Sequence, residues 1–161
     1  MEPVKLPPAR ERAVPIHPRY LPDDAWSTHR TVRFSDCDPA GIVYTPRFID
    51  LANGVIEDFF PGQLRIDYHT LIRTDRVGLG YKSVDTDFFK PALMGDRLSF
   101  TVLIEHVGRT SVIFRVHCVR EIEEIMRCRL VMVTTSLNTH NAINIPPDLK
   151  DALIAYRDIC R

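Results

Sequence analysis

Neither sign of charge prevails in this chain: 21 Lys and Arg stand against 21 Asp and Glu. A formal net charge of zero gives no overall basic field to hold nucleic acid or an anionic membrane, although a local patch remains open. Long apolar runs are missing as well. No uncharged stretch approaches the roughly 18 residues of a membrane span. The opening Met1-Glu2-Pro3-Val4-Lys5 lacks the apolar core of a signal peptide, so a cytoplasmic protein is the expectation. Cysteine is scarce. Cys37, Cys118, Cys128 and Cys160 form no CxxC pair and no zinc-finger spacing with histidine, which argues against a disulfide framework and a structural zinc. They read as reduced thiols, with Cys118 and Cys128 packed in strands. What is left is a chain of 161 residues, 45% hydrophobic and 26% charged, the ordinary proportions of one globular domain.

The prolines are unevenly placed. Pro3, Pro7, Pro8, Pro15, Pro18 and Pro22 all fall before residue 28. Proline fixes φ and removes a donor, so residues 1–27 are expected to form an extended arm, neither helix nor central strand. Its apolar residues Val14, Ile16, Tyr20, Leu21 and Trp26 suggest that its later half packs on the rest. Residues 28–161 form the domain. Thr28 to Phe34 reads as a first strand, with Val32 and Phe34 on one face. A long amphipathic helix follows, with Thr45 as N-cap, Pro46 at its first position and an apolar stripe of Phe48, Ile49, Ala52, Val55, Ile56 and Phe59. Pro61-Gly62 ends it, and Gln63 to Ile72 suggests a second short helix. Strands are expected over Gly80 to Phe89, Arg97 to His106, Ser111 to Arg120 and Ile125 to Leu137, with turns at 107–110 and 121–124. Pro146 to Ile159 reads as a last helix. One helix followed by four strands on short turns implies an α+β fold, an antiparallel sheet of about five strands with a long helix across its face.

The chemistry concentrates ahead of that helix, in Asp36-Cys37-Asp38-Pro39-Ala40-Gly41-Ile42-Val43-Tyr44. A helix N-terminus offers unpaired N–H groups and the positive end of a dipole, a setting that stabilises a developing oxyanion. A carboxylate beside it can attack an acyl carbon or deprotonate water. Gly41 lets the backbone approach a substrate closely. On spacing alone, Asp38 is equally a turn aspartate before proline. Asp36 reads as a loop residue that accepts backbone N–H bonds.

The run Phe34-Ser35-Asp36-Cys37-Asp38-Pro39-Ala40-Gly41-Ile42-Val43-Tyr44 resembles the signature of the 4-hydroxybenzoyl-CoA thioesterase family, acyl-CoA thioesterases of the hotdog fold. The resemblance continues through Phe89-Lys90-Pro91-Ala92, Gly95-Asp96-Arg97-Leu98, Val107-Gly108-Arg109-Thr110-Ser111 and Ile145-Pro146-Pro147-Asp148-Leu149. It spans roughly residues 28 to 158 and leaves the proline arm outside. It implies an antiparallel sheet wrapped around a long central helix, and hydrolysis of an acyl-CoA thioester with no metal and no cofactor. Asp38 takes the place of the catalytic carboxylate, and the backbone N–H of Thr45 that of the oxyanion donor. Gly41, Tyr44 and Asn53 fall against the substrate, and Arg109, Thr110 and Ser111 at the CoA phosphates. Asn53 stands where the 4-hydroxybenzoyl enzyme has a carboxylate, so the likeness reaches thioester hydrolysis rather than that particular acyl group.

Other residues read more plainly. Asp36 and Asp38 lack the further oxygen ligands of a calcium loop. Cys37 has no histidine within the motif to activate it, and His69 is a distant candidate. His106 and His117 lie on different strands without a third metal ligand. Glu57 shares a helix face with Asn53. The free edges of a single sheet predict a homodimer or a dimer of dimers, the resemblance implies sites at a subunit boundary, and Leu103 and Ile113, apolar on otherwise polar strand faces, would suit a sheet-to-sheet contact. A non-catalytic acyl-thioester-binding module on the same fold is the alternative reading.

Overall fold

The computed structural model describes residues 11–161; Pro3, Pro7 and Pro8 of the arm lie outside the described residues. Five strands make one antiparallel sheet: β1 (Ser27–Thr31), β2 (Val77–Phe88), β3 (Arg97–Val107), β4 (Ser111–Arg120) and β5 (Glu123–Ser136). Their spatial order is β1-β3-β4-β5-β2, so β4 is central and β1 and β2 are the edges. Alternation sets the faces. Leu98, Phe100, Val102 and Ile104 of β3 pack inward with Val112, Phe114, Val116 and Cys118 of β4, as period-two patterning requires.

Helix α1 (Thr45–Phe59) lies against this inner face. It buries Phe48, Ala52, Val55, Ile56 and Phe59, residues that recur at three- and four-residue steps and form one stripe. Ile49, at the margin of the stripe, is 37% exposed. At Pro61-Gly62 the α-helix gives way to a wider turn over Phe60–Leu64. The short helix α2 (Tyr68–Arg73) is capped by the Asp67 side chain, which accepts the Thr70 amide. Helix α3 (Pro147–Ile159) buries Leu149, Leu153 and Tyr156. Phe59 is the hub, meeting Trp26, Phe114 and Tyr156 in edge-to-face contacts. The Tyr156 hydroxyl donates to the Val102 carbonyl at 2.5 Å and accepts the Trp26 amide at 2.9 Å. A phenol buried in a core needs such partners.

The first strand stops earlier than its pattern suggests. β1 ends at Thr31, and Phe34 opens a one-turn 3-10 helix, Phe34–Asp36. Phe34 is therefore 84% exposed rather than packed beside Val32. The helix cap is also displaced by one residue. Tyr44, in extended conformation, is the N-cap of α1, and Thr45 is already helical. The β4–β5 turn is tighter than 121–124, since Glu123 and Glu124 already belong to β5.

Candidate active site

The loop from Asp36 to Tyr44 is a miniature hairpin. The Asp38 amide donates to Ile42 O at 3.0 Å, the Gly41 amide to Asp38 O at 2.9 Å and the Tyr44 amide to Asp36 O at 2.9 Å. Gly41 holds φ at +79°, a left-handed conformation that glycine adopts without a steric cost. A Cβ there would meet nothing within 4 Å, so glycine serves the turn itself and not a close approach within this chain.

Asp36 and Asp38 differ sharply within this hairpin. Asp36 is 4% exposed. Its Oδ2 accepts the Arg33 amide at 2.8 Å and its Oδ1 accepts Arg47 Nη2 at 2.8 Å. Burial pushes its pKa up, but the Arg47 hydrogen bond, the Arg33 amide and the two guanidinium charges outweigh it, so the carboxyl titrates below its ordinary range. Arg47 stands in the first turn of α1 and also pairs with Asp50. This clamp fixes the hairpin to the start of the helix. Asp38 faces a cleft of about 440 Å³ walled by Phe34, Cys37, Pro39, Gly41 and Met94. Its Oδ1 accepts the Ala40 amide at 2.8 Å, the bond of an Asx turn. Among the described residues nothing donates to its Oδ2.

The open end of α1 comes directly after the hairpin. No side chain caps the helix, and the Tyr44 carbonyl accepts the Arg47 amide at 2.8 Å. The Thr45 amide thus sits at the positive end of a 15-residue helix. The adjoining turn at 93–96 is joined to the hairpin by the bridge of Ile42 with Leu93. Phe34 and Met94 form the apolar rim of the cleft, and Tyr44 and Leu93 on the adjoining segments are likewise at least half exposed. The sequence motif marked Asp38, but Phe34 and Met94 as cleft walls escaped it, because both are ordinary apolar residues placed by turns.

The remaining candidates lie elsewhere. Asn53 is half-buried on α1, two turns beyond Thr45. Glu57, one turn further, lies 3.7 Å from His69, so each serves as the other's neighbour. Arg109, Thr110 and Ser111 form the β3–β4 turn, with Arg109 exposed and its carbonyl taking the Ile145 amide at 2.8 Å. That turn is at the far end of β3 from the Asp38 hairpin, about 30 Å away by strand rise. One chain does not bring the two together. His106 is paired with Ile113 and His117 with Thr101, so the two histidines do not meet, and among the described residues no three His, Cys, Asp or Glu side chains gather as a metal site. Among the same residues no helix is long and apolar enough to cross a membrane. Cys37 donates weakly to the Arg33 carbonyl at 3.5 Å.

Comparison with known proteins bears on the family and the fold. Residues 32–153 match the family model described as the thioesterase-like superfamily. A 1,4-dihydroxy-2-naphthoyl-CoA hydrolase from Crocosphaera subtropica is 28% identical over 83 residues, 52% of this chain and 60% of that protein. The protein of the same name from Acaryochloris marina is 36% identical over 70 residues, 44% of this chain and 50% of its own. The matched region thus spans little more than half the length of these curated relatives. Among solved structures, a 1,4-dihydroxy-2-naphthoyl-CoA thioesterase from Synechocystis superposes with a TM-score of 0.75 at 20% identity, covering 81% of this chain and 96% of that one. That likeness fixes the fold as the hotdog arrangement of thioesterases.

Proposed function

The chain belongs to the thioesterase-like superfamily, and from that premise we propose that it hydrolyses an acyl-CoA thioester with Asp38 as the reacting carboxylate. The observation that carries this reading is the state of Asp38. One carboxylate oxygen is held by the Ala40 amide and the other has no hydrogen-bond donor among the described residues, in an apolar-walled cleft next to the start of α1. A thioester carbonyl oxygen directed at the Thr45 amide would gain the helix-end field as it acquires charge. Oδ2 then attacks the carbonyl carbon to give a mixed anhydride, or takes a proton from the water that does so. Either route expels CoA thiolate and consumes one water. Neither requires a metal or a redox cofactor.

The acyl group is read from the relatives and from the rim. Proteins similar to this one carry the name of a hydroxylated bicyclic aryl-CoA hydrolase, and Phe34, Tyr44 and Met94 offer flat, polarisable surface to a ring. We therefore assign a hydroxylated aromatic acyl group, with Asn53 as the uncharged polar residue toward its far end. Arg109, Thr110 and Ser111 remain the CoA phosphate ligands in this reading. Their distance from Asp38 favours a second copy as their source, and the working unit in this reading is a homodimer or a dimer of dimers with each cleft completed across the boundary. The exposed apolar rim fits that arrangement, since patches of this kind mark contact surfaces.

The test is a panel of CoA thioesters with hydroxylated aromatic, short aliphatic and long aliphatic acyl groups, followed by released thiol. Hydroxylated aromatic thioesters should turn over fastest. Preference for an aliphatic group would overturn the acyl assignment, and tight binding of every thioester without thiol release would leave a binding module instead of an enzyme.

A further inference from the structure

The proline arm is not loose along its described length. It crosses the outer face of the sheet over the row Thr101, His117, Arg127 and Asp87, which strand register places side by side on β3, β4, β5 and β2. The Ile16 amide donates to Glu124 Oε2 at 2.7 Å, and Arg127 Nη2 donates to the Val14 carbonyl at 3.1 Å. Ala13 and Pro15 reach Asp87 and Phe88 at one edge. Ile16, Tyr20 and Leu21 stand with Leu103 and His117 around a cavity of about 490 Å³ toward the other. Thr101 and His117 of this row are 8% and 3% exposed and Glu124, bonded to His117, is 2% exposed, while Arg127 and Asp87 are half-buried.

The anchor is built for this. Glu124 takes four donors, the Ile16 amide, His117 Nδ1 at 2.7 Å, and Arg127 Nε and Nη2 at 2.9 and 2.5 Å. A buried carboxylate is tolerated only when its acceptor sites are filled by charged or strongly polar donors. One of those donors comes from 108 residues away and from a segment outside the family match at 32–153. The outer face alongside the arm has the character of a contact surface. It carries half-buried Leu103, Ile113 and Val131, and Glu105 is bonded to both Arg115 and Arg129. A two-fold stack sets such a face against itself, and a patch carrying both signs is then self-complementary.

We propose that the segment from Ala13 to Leu21 is an intramolecular cover that occupies the outer sheet face and thereby excludes a second copy from stacking there. The face fits another copy of the same face, and the Ile16–Glu124 bond holds the arm there in its place. Association of this chain is thus confined to its other surfaces while the strap is latched.

The experiment uses the full chain, with hydrogen exchange of arm peptides and light scattering at micromolar concentration. Ile16→Pro removes the single amide that reaches Glu124 and leaves the His117 and Arg127 bonds in place. Leu21→Ser loosens the other end of the strap as a second variant. In the wild type, peptides covering 13–21 should exchange at least tenfold slower than an unstructured reference. Each variant should remove that protection and double the particle mass, and adding Ile113→Glu should restore the wild-type mass. Fast exchange of the wild-type arm, retained protection in Ile16→Pro, release without a change of mass, or a doubling that survives Ile113→Glu would each overturn the proposal.

Discussion

Two carboxylates, Glu124 and Asp38, each accept a backbone amide and arrive at different states. Glu124 is fully buried, takes four donors from three segments and titrates far below its ordinary range, down to about 2, because the His117 and Arg127 hydrogen bonds and the Ile16 amide outweigh burial. Asp38 accepts one amide from two residues away and keeps an oxygen open to a cleft. A carboxylate whose acceptor capacity is used up can tie segments together but has nothing left for a substrate. One that is fixed by half its capacity is positioned and still reactive. On the proposed reading, the contrast separates a carboxylate that ties segments together from one left available to a substrate.

The comparison can be broken first at the architectural end. Glu124→Ala removes the carboxylate that His117 and Arg127 both bond, a change that costs about 3–5 kcal/mol. Chemical denaturation should show a lower midpoint with activity per folded molecule unchanged. Asp36 is intermediate, since it is buried and doubly bonded yet belongs to the hairpin that carries Asp38. Asp36→Asn keeps the shape but loses the charge that binds Arg47, and should cost about 1.5–3 kcal/mol together with a modest fall in turnover, read from thermal melts beside initial rates.

Acid sharpens the same contrast. The folded-state pKa of Glu124 is depressed from 4.5 to about 2, so its contribution to stability is complete above about pH 4.5 and disappears as pH falls through about 2. Denaturation midpoints measured from pH 6 to 2 should fall for the wild type, and Glu124→Gln should lack that part of the slope. The smallest effect belongs to the β3–β4 turn. Arg109→Ala should raise KM for CoA esters several-fold with little change in kcat, and should leave hydrolysis of acyl-pantetheine, which lacks the nucleotide phosphates, unaltered. Equal losses with both substrates would remove Arg109 from phosphate binding.

Much of this was written locally. Alternation in β3 and β4 reads directly from Leu98 to Ile104 and from Val112 to Cys118, because period-two burial needs no distant information. The α1 stripe and its stop at Pro61-Gly62 are equally local. The turn chemistry of the hairpin is local as well, whereas Asp38 stands out only through the family resemblance of the motif. Other features depended on partners that local pattern does not contain. Phe34 continues the apolar alternation of β1, yet the Arg33 amide turns back to Asp36 and throws the ring outward. Thr45 has the chemistry of a cap, but Tyr44 holds the extended backbone that the capping position requires. Glu124 resembles a turn glutamate until His117, Arg127 and Ile16 converge on it. Proline spacing announces an extended arm; the sheet row that receives it comes from register.

The central claim is that the free oxygen of Asp38 does the chemistry. Asp38→Asn keeps the acceptor that holds Ala40 and removes the charge, so its melting temperature should match the wild type. Turnover of a hydroxylated aromatic acyl-CoA by this variant is the most direct measurement. The account predicts a fall in kcat on the order of a hundredfold or more with the fold intact, and near wild-type turnover by a well-folded Asp38→Asn protein would contradict it.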